Sequence, residues 1–155
     1  MSDPGIQGLV SIRVGGETFG VPVLSVQDVI APVRIDIVPL APPEVAGSLN
    51  LRGRIVVAID IRTRLGMPAR APGAAHMSVI VERSGGLYAL QVDDVGDVLW
   101  LAVADQEPAP ITLTADWRVV CDGLYRLEGE LMLVLDVERF LTLNPAHTPN
   151  LVQAA

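Results

Sequence analysis

Few side chains in this sequence could support catalysis or hold a metal ion. The two histidines, His76 and His147, lie far apart and at no ligand spacing with cysteine or carboxylate residues, whereas a metal site needs several such donors close together. Cys121 has no histidine near it in the sequence and is interpreted as a buried structural thiol. No glycine-rich loop opens a helix after a strand, as a phosphate-binding loop requires. We therefore predict no catalytic residues, no metal and no cofactor.

The densest group of carboxylates consists of Asp93, Asp94 and Asp97. A calcium-binding loop would need further oxygen ligands at fixed positions, and the sequence does not supply them. We interpret these three aspartates as part of a solvated turn.

One loop, GSLNLRGRI over residues 47–55, is unusual because it places an arginine in an apolar, glycine-flanked setting. Asn50 can bond to the backbone of its own turn. Arg52 offers five N–H donors. Two roles remain open for Arg52: pairing with buried groups of its own fold, or contact with a partner.

The elements that position this loop occur twice. The segment FGVPVLSVQDVI, residues 19–30, returns 69 residues later as YALQVDDVGDVL, residues 88–99. The segment GRIVVAIDIRTRL, residues 53–65, returns 76 residues later as GELMLVLDVERFL, residues 129–141. Two similar motifs in the same order predict two copies of one small β unit, related by a pseudo-twofold axis.

Short apolar segments separated by turn signals predict a mostly β protein. Residues 47–53 are expected to form a loop, a helical first turn is expected at Pro43, and short helices should follow Asp60 and Asp136. Residues 67–75, rich in proline, glycine and alanine, are the predicted linker. The predicted strands cover residues 8–14, 17–23, 33–38, 54–60, 77–82, 87–92, 119–127 and 130–135.

The composition fits one globular domain of 155 residues, of which half are hydrophobic and only 4% aromatic. We expect a core made mainly of valine, leucine and isoleucine. The longest apolar runs are far shorter than the roughly 20 residues that span a bilayer. The N-terminal segment lacks the features of a signal peptide. A single cysteine cannot form an internal disulfide, which favours a reducing cytoplasm.

The net charge of −7 argues against nonspecific binding to nucleic acid. The charge is unevenly distributed: residues 1–75 contain seven arginines and six acidic residues, whereas residues 76–155 contain four arginines and twelve acidic residues. Such asymmetry can orient a partner. The alternative, that the acidic residues only keep an apolar domain in solution, remains open.

These motifs resemble those of the CheW-like domain family, the adaptor fold of bacterial chemotaxis arrays. The resemblance extends over about residues 8–143 and is carried by FGVPVLSVQDVI, VDDVGDVL, LDVERFL and LAPPEVAGSLNLRGRIVVAID, with its Asn-Leu-Arg-Gly. Val57 stands where the family often has proline, and Asp28 where it often has glutamate.

The resemblance implies a mostly β fold of two pseudo-symmetric, five-stranded, SH3-like β-barrel subdomains with a few short helices. We expect a single domain over residues 8–143, with subdomains of about 15–70 and 76–143; strand exchange at the N-terminus is left open. Residues 1–7 and 145–155 are expected to be flexible termini.

The resemblance also implies a non-enzymatic scaffold without cofactors. Such proteins couple the tips of methyl-accepting chemoreceptors to the regulatory domain of a CheA-type histidine kinase. The expected location is the cytoplasm, at receptor arrays on the inner face of the membrane, without insertion into it. An adaptor of a non-flagellar array, controlling pili, gliding or development, is the alternative. A small-molecule-binding barrel would need a polar cavity, whereas the predicted inward positions are apolar.

Two groups of site residues follow from the resemblance. The kinase-binding group is expected on or near an exposed edge and consists of three alternating apolar residues, one of which could instead face inward. The receptor-binding group lies in a groove between the subdomains, where a receptor helix would fit; its apolar members have a core position as the alternative. The kinase-binding residues are Val33, Ile35 and Ile37, and the receptor-binding residues are Val26, Asp28, Gly47, Leu49, Arg52 and Val98.

Overall fold

The computed structural model describes residues 5–142 and confirms a mostly β fold with few short helices. The helices are α1 (Ile61–Arg64), α2 (Ala115–Val120) and α3 (Val137–Thr142), and single 3₁₀ turns occur at Val23–Ser25 and Val103–Asp105. The strands are β1 (Ile6–Val14), β2 (Glu17–Pro22), β3 (Val26–Ile30), β4 (Val45–Leu51), β5 (Arg54–Asp60), β6 (Met77–Arg83), β7 (Gly86–Val92), β8 (Asp94–Ala102), β9 (Cys121–Leu127) and β10 (Glu130–Leu135).

These strands form two five-stranded sheets. The order in the first sheet is β8-β1-β2-β10-β9, and the order in the second is β3-β6-β7-β5-β4. If each of the strands β1 to β5 is exchanged with the strand numbered five higher, the strand order of the first sheet becomes the strand order of the second. The predicted pseudo-symmetry is therefore confirmed. The sheets are not closed barrels, because β8 and β9 remain the edges of one and β3 and β4 the edges of the other.

The sheets do not coincide with the two halves of the chain. The first sheet joins the β1–β2 hairpin to β8, β9 and β10, and the second joins the β6–β7 hairpin to β3, β4 and β5. The exchange arises because β2 pairs in parallel with β10, and β7 pairs in parallel with β5. The subdomain boundaries predicted at residues 15–70 and 76–143 therefore do not separate the sheets. Ile6 and Gln7, predicted to lie in a flexible terminus, pair with β8; residues 145–155 lie outside the described part.

Residues 47–53 were predicted as a loop, but most of them form β4, which pairs with β5 from Val45 to Leu51. The connection consists only of Arg52 and Gly53, whose φ angles are 51° and 85°. Two consecutive positive φ values define the type I′ turn that suits a two-residue hairpin. As predicted, the Asn50 side chain bonds this turn: its Oδ1 accepts from the Gly53 N–H at 3.0 Å.

Residues 33–38 were predicted as a strand but form only one isolated bridge, between Asp36 and Ser48 of β4. Its two backbone hydrogen bonds measure 2.8 Å each. Gly47, with φ of 152°, permits this approach because a Cβ there would overlap the Asp36 carbonyl oxygen. Longer pairing is prevented since prolines flank the segment and lack an N–H donor. The predicted helical first turn at Pro43 is a plain turn.

The main core lies between the two sheets and consists largely of valine, leucine and isoleucine, as predicted. Both sheets contribute to it, for example Ile12 and Val21 from the first and Ile59 and Leu90 from the second. Two smaller apolar clusters fill the concave sides of the individual sheets. The shared core makes the sheets one packed unit rather than two independent barrels.

Asp93 lies at the point where the chain crosses from β7 of the second sheet to β8 of the first. Its carboxylate accepts hydrogen bonds from Arg62 at 2.6 and 3.1 Å, from Arg70 at 3.1 Å and from the Gly15 N–H at 2.8 Å. Burial opposes ionisation of Asp93, but the bonds from Arg62, Gly15 and Arg70 outweigh it and lower its pKa to about 2. The interpretation of Asp93 as part of a solvated turn is therefore wrong.

The lowered pKa of Asp93 predicts how stability depends on pH. Since this pKa lies below the ordinary value of 3.8, ionised Asp93 stabilises the fold above about pH 4, and this contribution is lost as the pH falls towards 2. A shift of this size corresponds to about 2 kcal/mol. We expect Asp93→Asn to lower the free energy of unfolding at pH 7 by at least about 2 kcal/mol, because Arg62 and Arg70 lose their counter-charge.

Urea unfolding of the wild type and Asp93→Asn at pH 7 and pH 3 measures this effect. Asp94→Asn is the control, because Asp94 is exposed and, among residues 5–142, its carboxylate accepts from the backbone N–H of its neighbour Val95 alone. Equal loss of stability between pH 7 and pH 3 in the wild type and in Asp93→Asn would contradict the prediction.

Candidate functional site

The ion pair between Asp28 of β3 and Arg52 of the β4–β5 turn joins opposite edges of the second sheet. Arg52 Nη2 lies 3.0 Å from Asp28 Oδ2. Because β3 and β4 are the two edges, this contact shows that the sheet curls almost into a barrel. The Arg52 side chain is 77% exposed. This exposure does not fit the role of a buried clamp, since exposed pairs contribute only about 0–1 kcal/mol.

A notch of about 170 Å³ opens beside this ion pair, at one mouth of the curled sheet. Its volume is below the roughly 300 Å³ at which small-molecule pockets begin, so it suits a single side chain of a partner rather than a metabolite. The notch is lined by Gln27, Asp28, Leu51, Arg52, Arg54, Ile80 and Leu87.

Two residues of the predicted receptor-binding group face inward. Leu49 is 3% exposed and belongs to the apolar cluster on the concave side of the second sheet. Gly47 is buried under Asp36 and Ile35. In the described chain these residues shape the strand that presents Arg52 and do not form a contact surface.

The other apolar members of this group border the main core. Val26 of β3 is half-buried and packs against it. Val98 of β8 is 43% exposed and pairs with the core residue Val10. The structure thus brings Asp28 and Arg52 into contact, places Val26 two residues from Asp28 on the same strand, and places Val98 on the other sheet.

The predicted kinase-binding group divides according to burial. Val33 and Ile37 are exposed, Ile37 by 85%, whereas Ile35 is half-buried and packs on the cluster that contains Leu49. The alternative in which one of the three faces inward therefore holds for Ile35. All three lie in the irregular segment that bridges to β4, one edge strand of the second sheet.

Leu40, three residues after Ile37, is a further exposed apolar residue that the sequence pattern did not indicate. It is fully exposed and has a φ of 62°, a value that favours glycine. The turn is closed by a bond from the Ala41 N–H to the Val38 carbonyl oxygen at 3.3 Å. The Pro39–Leu40 pair was the available signal, because proline favours the position before the residue with positive φ in such a turn.

No group of three or more histidine, cysteine, aspartate or glutamate residues within residues 5–142 could hold a metal ion. Burial raises the pKa of the Cys121 thiol to about 11, which disfavours the reactive thiolate. Among residues 5–142, no helix is long and apolar enough to cross a membrane. His147 lies outside the described residues.

Comparison with known proteins agrees with this architecture. The chain is 28% identical to the chemotaxis protein CheW of Rhizobium meliloti (strain 1021) over 130 residues, which cover 84% of each chain. It is 25% identical to the chemotaxis protein CheW of Helicobacter pylori over 132 residues, or 85% of this chain and 79% of the relative.

A solved structure, the scaffolding protein TtCheW from Thermoanaerobacter tengcongensis, has the same fold, with a TM-score of 0.81 and 24% identity over 92% of this chain and 97% of that one. The family model of the CheW-like domain matches residues 8–144. This match covers most of the sequence and includes every described strand but the first two residues of β1, so the chain belongs to the CheW-like domain family.

Proposed function

We propose that this protein is a non-enzymatic chemotaxis adaptor that holds chemoreceptor tips against a CheA-type histidine kinase, in the cytoplasm at receptor arrays. The observation that carries the proposal is the match of a CheW-like domain to residues 8–144. The names of the relatives, chemotaxis protein CheW and scaffolding protein, support it. The exposed surfaces of the described chain suit an adaptor, because they offer apolar and charged contacts to partners.

The receptor surface in this proposal contains Val26, Asp28, Arg52 and Val98, supported from within by Leu49 and Gly47. Arg52 is well placed for recognition because only its Nη2 atom is used by Asp28, and the side chain is 77% exposed. The notch beside it can accept a side chain from a receptor helix. The occupant would be an α-helix that presents a polar or acidic residue to Arg52 and an apolar residue to the groove.

The kinase surface contains Val33 and Ile37, with Ile35 as its inward support. Leu40 extends this surface. Such an exposed apolar segment on a small domain marks an interaction site. It borders β4 through the bridge between Asp36 and Ser48. The proposal therefore assigns the two partners to different exposed residues of one molecule.

Reversal of the Arg52 charge tests the receptor surface. We expect Arg52→Glu to weaken binding of a soluble receptor-tip fragment at least tenfold, while the free energy of unfolding changes by no more than about 1 kcal/mol because the pair with Asp28 is exposed. Binding of the kinase regulatory domain should not change. Titration calorimetry with each partner and urea unfolding measure these quantities.

The matched control is Arg118→Glu, an exposed arginine on α2 of the other half. Loss of several kcal/mol of stability in Arg52→Glu would show that Arg52 chiefly maintains the curl of the sheet. Unchanged receptor binding in a stable variant would exclude Arg52 from the receptor surface.

Ile37→Asp tests the kinase surface. Because the Ile37 side chain is 85% exposed, the substitution should change the free energy of unfolding by no more than about 0.5 kcal/mol. We expect binding of the kinase regulatory domain to fall at least tenfold, with normal affinity for the receptor fragment. Ile111→Asp is the control, since Ile111 is 86% exposed in a loop of the other half. Kinase binding equal to that of the wild type would refute this surface.

A further inference from the structure

An apolar stripe runs from the main core to the surface along paired positions of β1 and β8. The antiparallel register places Val10 opposite Val98 and Gly8 opposite Trp100, and all four face the same side of the first sheet. Exposure rises along the stripe, from 5% at Val10 to 43% at Val98 and 67% at Trp100. The apolar face of the sheet is thus left uncovered by residues 5–142 at this end.

Gly8 makes room for the indole of Trp100. A Cβ on Gly8 would come within 2.6 Å of Trp100 Cζ3 and within 2.9 Å of a methyl group of Val23. The indole therefore lies directly over the backbone of β1 at Gly8, and Val23 lies beside the same position. Because packing holds the indole in place before binding, little conformational entropy would be lost when a partner covers it. Fixed, exposed tryptophans of this kind are typical binding hot spots.

We propose that Trp100, seated on Gly8, is the apolar anchor for a helix of the chemoreceptor tip. The inference rests on the proposed function and adds to its receptor surface a tryptophan whose side chain is 67% exposed. Trp100 continues directly from Val98 on the same face of β8. Val23 lies close to Gly8, where the indole packs. It is three residues before Val26, and both valines pack against the main core.

A helix fits this stripe better than an added strand. The stripe presents side chains standing on the face of the sheet, whereas an added strand would use the backbone groups along its edge. Alternate residues of a strand, such as Val98 and Trp100, are about 7 Å apart. Apolar residues three or four apart on a helix are separated by about 5–6 Å, so two of them can cover both positions.

Trp100→Ala should weaken the affinity for a soluble, helical receptor-tip fragment at least tenfold, and Trp100→Phe should weaken it by no more than about threefold, because an aromatic ring still covers Gly8. Affinity for the isolated regulatory domain of a CheA-type kinase should remain unchanged in both variants. The control is Ile111→Ala, which removes an exposed apolar side chain away from the stripe. Calorimetric titration gives each affinity.

Tryptophan fluorescence detects burial of the Trp100 indole in the folded wild type, so its result cannot arise from unfolding of a variant. The other tryptophan, Trp117, is half-buried, donates to the Leu65 carbonyl oxygen at 2.9 Å and contacts the Phe19 ring edge-on. Trp100 should therefore account for most acrylamide quenching in the free protein. Addition of the receptor fragment should protect this emission in the wild type and have little effect in Trp100→Phe.

The possible outcomes separate this inference from the proposed function. If the wild type does not bind the receptor fragment, both fail. If the wild type binds and Trp100→Ala binds equally well, the anchor is refuted while the proposed function stands. If sedimentation shows that the protein forms a dimer as it is concentrated without receptor, and Trp100→Ala abolishes this dimer, a second copy of the chain covers the stripe and the inference is overturned.

Discussion

The carboxylate of Asp93 joins the two sheets by accepting four hydrogen bonds from three residues. Arg62 follows β5 of the second sheet, Arg70 lies in the linker, and Gly15 belongs to the β1–β2 turn of the first sheet. All three meet at the residue where the chain passes from one sheet to the other. Together with the exchanged hairpins and the shared core, this contact fixes the orientation of the sheets. A fixed orientation is what an adaptor needs if two partners are to be held in a defined geometry.

The repeat supplies two similar sheets, but their charges differ at equivalent positions. Asp28 and Arg52 attract each other across the curled second sheet, whereas their counterparts in the first sheet, Asp97 and Glu128, are both acidic and exposed. The segments that build the first sheet, residues 6–22 and 94–142, contain four arginines and eleven acidic residues, while residues 23–93 contain seven arginines and six acidic residues. The charge difference between the two halves of the sequence is therefore also a difference between the two sheets. It gives a partner a means to distinguish one sheet from the other.

Local patterns were sufficient to predict most of the strands, the hairpin turns and the duplication, because alternation and glycine turns act over a few residues. They could not predict which strands pair in parallel, since the β2–β10 and β5–β7 contacts join distant segments. The segment containing Ile35 alternates like a strand, yet its flanking prolines limit it to one bridge. For the site, the motif drew attention to Arg52, and the structure places this residue in a two-residue turn with positive φ. Burial of Leu49 and Gly47, and the partners of Asp93, depend on tertiary packing that no local pattern encodes.

In the proposed function, one molecule must engage receptor and kinase at the same time. The most direct measurement is kinase activation by receptor-containing vesicles in the presence of an equal mixture of Arg52→Glu and Ile37→Asp, each impaired on one surface only. The wild type at the same total concentration is the reference. If coupling requires both surfaces on one chain, the mixture should activate the kinase no better than either variant alone. Restoration of wild-type activation by the mixture would contradict the account, because the two surfaces would then act on separate molecules.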